Sequence, residues 1–194
     1  MQILKSNALI DVPWKNGGGI TRNIAKGLRE GKIAWTISRA DVAEAGPFSD
    51  FAGMIRVLTV VSGGTMVLDT PKTSLTAVLF SPVRFDGALK VFSRLEDGPI
   101  TDLNLMFDPS FCDGDVVVHK GPCDLKATCP EHGVLAFHGL AGGPCVDGTA
   151  ISSADTAFVT QPNAMLQLKE GEALLELRLS YLDQDNAIKL CIAD

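Results

Sequence analysis

Short apolar runs separated by turn residues constrain the fold of this chain more than any other feature. The run from Ile33 to Arg39 places Ile33, Trp35 and Ile37 in alternation with smaller or polar residues, which predicts a strand with one buried face. Dipeptides such as Asp-Gly and Gly-Gly follow such runs about every ten residues along the chain. Further runs of this kind are 56–61, 100–107 and 172–181. Many short strands at regular spacing predict an all-β sandwich or barrel.

The two halves of the chain share a weak sequence repeat. A Gly-Gly-x-x-Val pattern occurs at residues 63–67 and again at 142–146, and each copy is followed by an apolar run. Two β-barrels of similar construction, joined near residues 108–115, would produce such a repeat. With 19 glycines and 10 prolines the chain has little room for long helices.

The run 100–107 carries the polar residues of greatest interest. Its leucines and Phe107 lie on one face of the predicted strand, and Asp102 and Asn104 lie on the other. That second face either contacts water or lines the inside of a barrel, and the sequence leaves both open. If the polar face points inward, each buried group needs a partner, which a ligand with carboxylate or amide groups would supply.

Charge and cysteine content narrow the class of protein. The net charge of −6 disfavours nucleic acid as a partner, although residues 1–56 carry eight cations against five acids. Such a cationic segment is either an ordinary solvated surface or the lining of a site for a small anion. The N-terminus does not have the pattern of a signal peptide, and no apolar run is long enough to span a membrane. Five irregularly spaced cysteines indicate reduced thiols and a cytoplasmic location.

Residues 13–22, Pro-Trp-Lys-Asn-Gly-Gly-Gly-Ile-Thr-Arg, form the most distinctive motif. The spacing matches neither a P-loop nor a dinucleotide fingerprint. Three glycines in succession indicate a backbone bend, or a close approach to the backbone, that other residues do not permit. The motif is therefore either the entrance to a ligand pocket or a loop that caps a barrel end with Trp14 in the core.

Metal and nucleophile signatures are weak. The three histidines, His119, His132 and His138, include no His-x-His pair, and the nearby cysteines match no common zinc spacing. No Gly-x-Ser-x-Gly elbow is present. The sequence therefore predicts neither a bound metal nor a cofactor.

Four blocks of the sequence resemble the HutD/Ves family, in order along residues 13–107. They are the motif at 13–22, Trp-Thr-Ile-Ser-Arg-Ala-Asp-Val at 35–42, Gly-Pro-Phe-Ser-Asp-Phe at 46–51 with Arg56, and Asp-Gly-Pro-Ile-Thr-Asp-Leu-Asn-Leu-Met at 97–106. The resemblance implies an all-β, double cupin-like jelly-roll barrel with modules at 1–110 and 111–194, between which strands can be exchanged. It implies no established enzyme activity. The HutD branch is associated with sensing or buffering an intermediate of histidine utilisation and the Ves branch with cold and stress response; the branch stays open.

We therefore predict a metal-free cupin that binds a small anionic metabolite, such as formylglutamate or urocanate, in a regulatory or buffering role. Cationic and amide side chains hold the ligand, glycines shape the backbone beside it and an aromatic side chain closes the mouth. The predicted ligand-binding residues are Trp14, Lys15, Asn16, Gly17, Gly18, Gly19, Thr21, Arg22, Ser38, Arg56, Asp102 and Asn104.

The alternative is an enzyme on a cupin scaffold, an isomerase, lyase or hydrolase of a small carboxylic acid. In that hypothesis His119 or His138 is the base and acts with Asp102. Under either hypothesis the predicted partner is a small molecule, neither nucleic acid nor membrane is expected, and a homodimer stays open.

Overall fold

The computed structural model describes residues 1–182 and 188–193. Within that part the chain is built from β-strands, with one 3₁₀ turn at Ser6–Ala8, so the predicted all-β, cupin-like fold class is confirmed. No helix of the described part is long and apolar enough to cross a bilayer. The chain divides into two compact units. The first comprises Ile10–Phe111 and Ile188–Cys191; the second comprises Met1–Leu9, Cys112–Ala187 and Ile192–Asp194.

The first unit contains two sheets. The strands are β2 (Val12–Pro13), β3 (Gly19–Arg29), β4 (Lys32–Val42), β5 (Gly46–Pro47), β6 (Ile55–Gly63), β7 (Met66–Asp69), β8 (Ser74–Ala77), β9 (Val83–Asp86), β10 (Phe92–Leu95), β11 (Ile100–Phe107) and β20 (Lys189–Ile192). One sheet has the strand order β2-β3-β4-β11-β6-β9, with β20 paired to β3, and the other has the order β5-β10-β7-β8.

The second unit also contains two sheets. Its strands are β1 (Gln2–Leu4), β12 (Cys112–Lys120), β13 (Cys123–Thr128), β14 (Gly133–Ala141), β15 (Cys145–Val146), β16 (Thr149–Ala150), β17 (Thr156–Phe158), β18 (Asn163–Leu168) and β19 (Ala173–Tyr181). The strand orders are β1-β17-β14-β19-β12 and β13-β18-β15-β16. The predicted division near residue 110 lies next to the start of the main segment of this unit, and Met1–Leu9 joins the unit through β1.

The core of the first unit lies between its two sheets. Leu58 and Val60 of β6 pack with Met66 and Leu68 of β7, and all four side chains are fully buried. Residues that alternate along each strand supply this core, because successive side chains point to opposite faces of a sheet. Strand β11 lies inside its sheet, between β4 and β6, so its core-facing side chains have a neighbouring strand on each side.

One predicted core residue is wrong. Trp35 and Ile37 are fully buried in β4, but Ile33 is 52% exposed. Ile33 pairs with Leu28 at the hairpin end of β3 and β4, whereas the pairing of β4 with β11 stops at Trp35. Beyond Trp35 the β3–β4 hairpin extends past the end of β11. Ile33 therefore continues the apolar alternation but has no β11 residue beside it.

Candidate functional site

A polar cluster lies inside the barrel of the first unit. The strand registers place Ser38, Asn104 and Leu58 in one row across the sheet, and Ala40, Asp102 and Val60 in a neighbouring row. Leu58 and Val60 belong to the core, so this face points into the barrel. Ser38, Asp102 and Asn104 are each no more than 5% exposed. The sequence leaves open whether the Asp102 and Asn104 face contacts water or lines the barrel. In the structure this face points into the barrel.

Arg56 completes this cluster. It lies opposite Met106 on the same inward face, and its Nη2 donates a hydrogen bond of 2.9 Å to Asn104 Oδ1. The Asn104 amide in turn donates to Asp102 Oδ1. The sequence prediction thus names four residues that the fold brings together, namely Ser38, Arg56, Asp102 and Asn104.

Three phenylalanines surround the Arg56 guanidinium. Its Cζ lies 4.7 Å from the ring centre of Phe48, 5.2 Å from that of Phe85 and 5.3 Å from that of Phe51. Cation–π contacts of this kind stabilise a guanidinium that has lost much of its water. Sequence reasoning missed these rings. Phe48 and Phe51 do lie in the 46–51 block, and Phe85 lies in a short strand without a strong pattern.

Burial changes the ionisation of both charged members of the cluster. It lowers the pKa of Arg56 to about 10, against the opposing effect of the nearby Asp102. Burial also raises the pKa of Asp102 to about 7, although Arg56 and the hydrogen bond from Asn104 act in the opposite direction. At neutral pH the guanidinium stays charged while Asp102 is partly protonated, so the cluster carries net positive charge.

Two polar atoms on this face have no hydrogen-bond partner among the described residues. They are Arg56 Nε and Thr36 Oγ1, and both are buried. Thr36 and Arg56 lie on either side of Met106, so both belong to the same row of the barrel interior. Native proteins pair most buried polar groups, so these two atoms are candidates to bind a water molecule or a ligand. Thr36 was missed by sequence reasoning, although its spacing from Ser38 puts both on one face.

The glycine motif lies in the hairpin between β2 and β3. Trp14 packs against the core of the first unit, and its Nε1 donates a 2.7 Å hydrogen bond to Thr21 Oγ1. A Cβ on Gly19 would lie 2.5 Å from the Asp41 carbonyl oxygen and 3.0 Å from the Trp14 ring. Gly17 has a φ of +76°, which side chains disfavour. The glycines thus allow a tight loop to pass over Trp14.

Among the described residues, the hydrogen bond and ring contacts of Arg56 involve no residue of the motif. Lys15 is exposed, and exposed Asn16 accepts a 3.1 Å hydrogen bond from the backbone of Gly18. Arg22 pairs with Asp11 and Asp41, at 2.6 Å in each case. The ligand role of Trp14, Lys15, Asn16, Gly17, Gly18, Gly19, Thr21 and Arg22 stays a prediction.

A cleft of about 510 Å³ lies on the same unit. Phe48 lines it together with Leu89, Phe92 and other mostly apolar residues, while Asp69 and Lys90 add charge. Phe48 thus lines the cleft and also contacts the Arg56 guanidinium.

The histidines lie outside this cluster. Their sequence positions fall beyond residues 10–111, and within the second unit His119 Nε2 lies 2.9 Å from Glu176 Oε2. His138 is 1% exposed, and its Nδ1 lies 2.9 Å from Thr156 Oγ1. In the part of the chain that the structure describes, no group of three or more His, Cys, Asp and Glu residues is arranged to hold a metal ion.

Two curated bacterial proteins resemble part of the chain. An uncharacterised 21.2 kDa protein from the hutC 3′ region of Pseudomonas putida is 38% identical over 112 residues, which are 56% of this chain and 59% of that protein. Protein Ves of Escherichia fergusonii is 34% identical over 108 residues, 53% of this chain and 56% of that protein. The chain thus spans less than two thirds of the length of both relatives.

Solved structures and a family model match nearly the whole chain. HutD from Pseudomonas fluorescens SBW25, determined in a formate condition, superposes with a TM-score of 0.82 at 28% identity, over 94% of this chain and 99% of that one. A cupin 2 conserved barrel domain protein from Leptotrichia buccalis matches with a TM-score of 0.58 at 12% identity, over 91% and 95%, which supports the fold alone. The HutD family model matches residues 6–176. The chain therefore belongs to the HutD family of cupin-like proteins, a family associated with histidine utilisation.

Proposed function

We propose that this protein binds a small carboxylate metabolite inside the barrel of the first unit, with Arg56 as the anchor. The observation that carries the proposal is the buried Arg56 guanidinium, whose Nε lacks a partner among the described residues. An arginine offers a planar set of donors that matches a carboxylate. A ligand carboxylate beside the guanidinium would accept a hydrogen bond from Nε.

Electrostatics favour an anion over a neutral ligand at this place. Arg56 remains charged at neutral pH, whereas the raised pKa of Asp102 leaves that carboxyl partly neutral. Thr36 Oγ1 adds a hydroxyl without a partner in the same row of the barrel. A carboxylate with a second polar group, as in formylglutamate or urocanate, would use both atoms.

The expected affinity suits a sensor or buffer of an abundant metabolite. A hydrogen bond to a charged group is worth about 1.5–3 kcal/mol net. Two such bonds contribute about 3–6 kcal/mol before the cost of association is subtracted, which corresponds to a dissociation constant of roughly millimolar or weaker. The structure of a HutD from Pseudomonas fluorescens was determined in a formate condition, and formate is the smallest carboxylate of this class.

The test is a calorimetric and thermal-shift titration with formate, formylglutamate and urocanate, with formamide as the uncharged comparison. A ligand that binds the folded state raises its stability with concentration. We expect each acid to bind, and Arg56→Met to weaken binding by about 10- to 100-fold, because one charge-assisted bond is lost. Arg56→Lys keeps the positive charge but loses the planar set of guanidinium donors. Its affinity should therefore lie between those of the wild type and Arg56→Met.

Matched controls separate the barrel cluster from the glycine motif. Arg22→Ala and Lys15→Ala each remove a cation outside the cluster. If these variants fold and bind every acid as the wild type does, the motif has no part in the pocket. If Arg56→Met also binds all three acids with unchanged affinity, the proposal fails.

An enzyme is the second candidate, and Asp102 is the observation that favours it. A buried carboxyl with a pKa raised to about 7 is suited to moving a proton near neutral pH. Such an enzyme would be an isomerase, lyase or hydrolase of the same small acid. Incubation of each acid with the protein, followed by NMR, should show turnover that is lost in Asp102→Asn. Stoichiometric zinc or iron in the purified protein, together with no thermal shift for any acid, would also favour the enzyme.

We place this function in the cytoplasm, in the control or buffering of histidine catabolism. The five irregularly spaced cysteines support this location, because reduced thiols are typical of cytosolic proteins. The family association with histidine utilisation supports the pathway. The test of this role is the growth and pathway-intermediate level of a deletion strain supplied with histidine.

A further inference from the structure

A second arginine whose Nε has no partner among the described residues lies on the opposite face of the same sheet. Arg39 of β4 pairs with Leu103 of β11, whose side chain points away from the face of Asn104. Arg39 is partly buried, and its Nε is buried without a hydrogen-bond partner. Among the described residues its guanidinium makes no ion pair within 4 Å, and its pKa is lowered mainly by burial.

Arg39 lines a pocket of about 310 Å³ that is distinct from the barrel interior. Asp41, Ser62 and Thr101 contribute the other polar side chains. The register places Asp41, Thr101 and Ser62 side by side on β4, β11 and β6. A cavity that holds an unpartnered cation together with hydroxyls has the composition of a polar binding site.

Asp41 supplies a fixed negative charge in this pocket. Its Oδ2 accepts a 2.6 Å bond from Arg22 Nη1, and its Oδ1 accepts a 2.8 Å bond from Thr101 Oγ1. Burial pushes the pKa of Asp41 upward, but the hydrogen bonds from Arg22 and Thr101 outweigh it and the pKa is lowered. Each carboxylate oxygen has a second lone pair, so both can accept one more bond.

The local charges balance before any ligand arrives. Arg22 and Arg39 are matched by Asp11 and Asp41, although Arg22 holds both acids and Arg39 holds neither. A simple anion beside Arg39 would be repelled by the carboxylate of Asp41, and a simple cation beside Asp41 would be repelled by the guanidinium of Arg39. A molecule with one charge of each sign avoids both conflicts.

We propose that this pocket binds a small α-amino acid as a zwitterion, with its carboxylate on Arg39 and its ammonium group on Asp41. The Cα atoms of these residues are about 7 Å apart, since they lie two positions apart on a strand. One small amino acid spans that distance together with its two hydrogen bonds. Such a site is independent of Arg56, and it would let an amino acid act on the protein separately from the acid in the barrel.

The test compares glycine and glutamate with acetate and methylamine, each of which lacks one of the two charges. Binding is followed by calorimetry and by NMR of the labelled protein. We expect both amino acids to bind to the wild type and to Arg56→Met, and acetate and methylamine to bind at least tenfold more weakly. Arg39→Gln and Asp41→Asn should each weaken amino acid binding at least tenfold.

A further variant guards against misfolding of Arg39→Gln. Ser62 is exposed, so Ser62→Asp adds a carboxylate that competes for Arg39 without disturbing the core. It should weaken amino acid binding at least tenfold, whereas Ser81→Asp, at another exposed serine of this unit, should not.

Four outcomes would overturn the proposal. They are no amino acid binding at millimolar concentration, equal binding of acetate and glycine, wild-type affinity in both Arg39→Gln and Ser62→Asp, or loss of binding in Arg56→Met alone. The last outcome would place the amino acid in the barrel and leave the carboxylate proposal standing. Failure of the acids to bind at Arg56, with amino acid binding intact at Arg39, would have the reverse meaning.

Discussion

Replacing Asp102 with asparagine tests the electrostatics of the barrel cluster most directly. The ordinary pKa of this carboxyl is 3.8, and burial raises it to about 7 in the folded protein. Between these values the folded chain holds a proton that the unfolded chain has released. Stability therefore falls as pH rises through this window, and it levels off above about pH 7, where both states are ionised.

The size of the effect follows from the two pKa values. One pKa unit corresponds to about 1.4 kcal/mol, so the rise from 3.8 to about 7 corresponds to about 4 kcal/mol. Asparagine cannot ionise, so Asp102→Asn removes this dependence. Between pH 4 and pH 8 the free energy of unfolding of the wild type should fall by about 4 kcal/mol relative to the variant. The offset between the two proteins at one pH also contains the lost attraction to Arg56, and the slope is therefore the quantity to measure.

The assay is urea unfolding followed by tryptophan fluorescence at a series of pH values. Both tryptophans, Trp14 and Trp35, lie in the first unit, so their signal reports on the unit that holds Asp102. Asp41, which lies in the same unit, serves as a control of opposite sign. Burial raises its pKa, but the hydrogen bonds from Arg22 and Thr101 outweigh that effect and lower it, so its contribution to stability is lost on acidification. Parallel pH curves for the wild type and Asp102→Asn would refute the reasoning.

Three further perturbations test the packing around the site. Gly19→Ala should destabilise the protein by about 1–3 kcal/mol because its Cβ meets the Asp41 backbone, whereas Gly46→Ala, at a position with open space, should change stability little in the same urea titration. Ile37→Ala should cost about 2–5 kcal/mol as a fully buried residue, and exposed Ile33→Ala less than about 1 kcal/mol, both from urea midpoints. Phe48→Ala removes a ring that lines the cleft and covers Arg56, so we expect stopped-flow titration with formate to show faster association; an unchanged rate would contradict entry of formate past Phe48.

Strand periodicity predicted the central strand of the site well. The alternation in 100–107 matches the bounds of β11, and the polar face it identified, Asp102 and Asn104, is the face that enters the barrel. Local pattern suffices there because successive side chains of a strand point to opposite faces of its sheet, so the polar and the apolar residues separate with a period of two. The sequence did not reveal whether the polar face of β11 points into the barrel or toward water, since the same alternation suits a strand with one solvated face.

Other parts of the site depend on contacts that are distant in sequence. The rings around Arg56 come from residues 48, 51 and 85, and only the fold brings them to one guanidinium. The cations of the glycine motif were grouped with Arg56 because they are close in sequence. In the fold Arg22 instead pairs with Asp11 and Asp41, since β3 places it opposite Arg39, on the face that β11 gives to Leu103.

Both units place charged side chains on a core-facing strand, but the two units differ in how the buried charges are paired. Our proposal puts the ligand in the first unit because of this difference. In both, a strand paired on two sides presents charged side chains on the face that supplies the core. In the second unit that strand is β19, where Glu176 accepts bonds from His119 and Arg178, so the buried carboxylate has protein partners. In the first unit the buried charge is Arg56, and within the described residues its Nε has none. Leaving a buried donor unpaired costs about 1–3 kcal/mol, which a bound carboxylate would recover and a well-packed empty barrel would not.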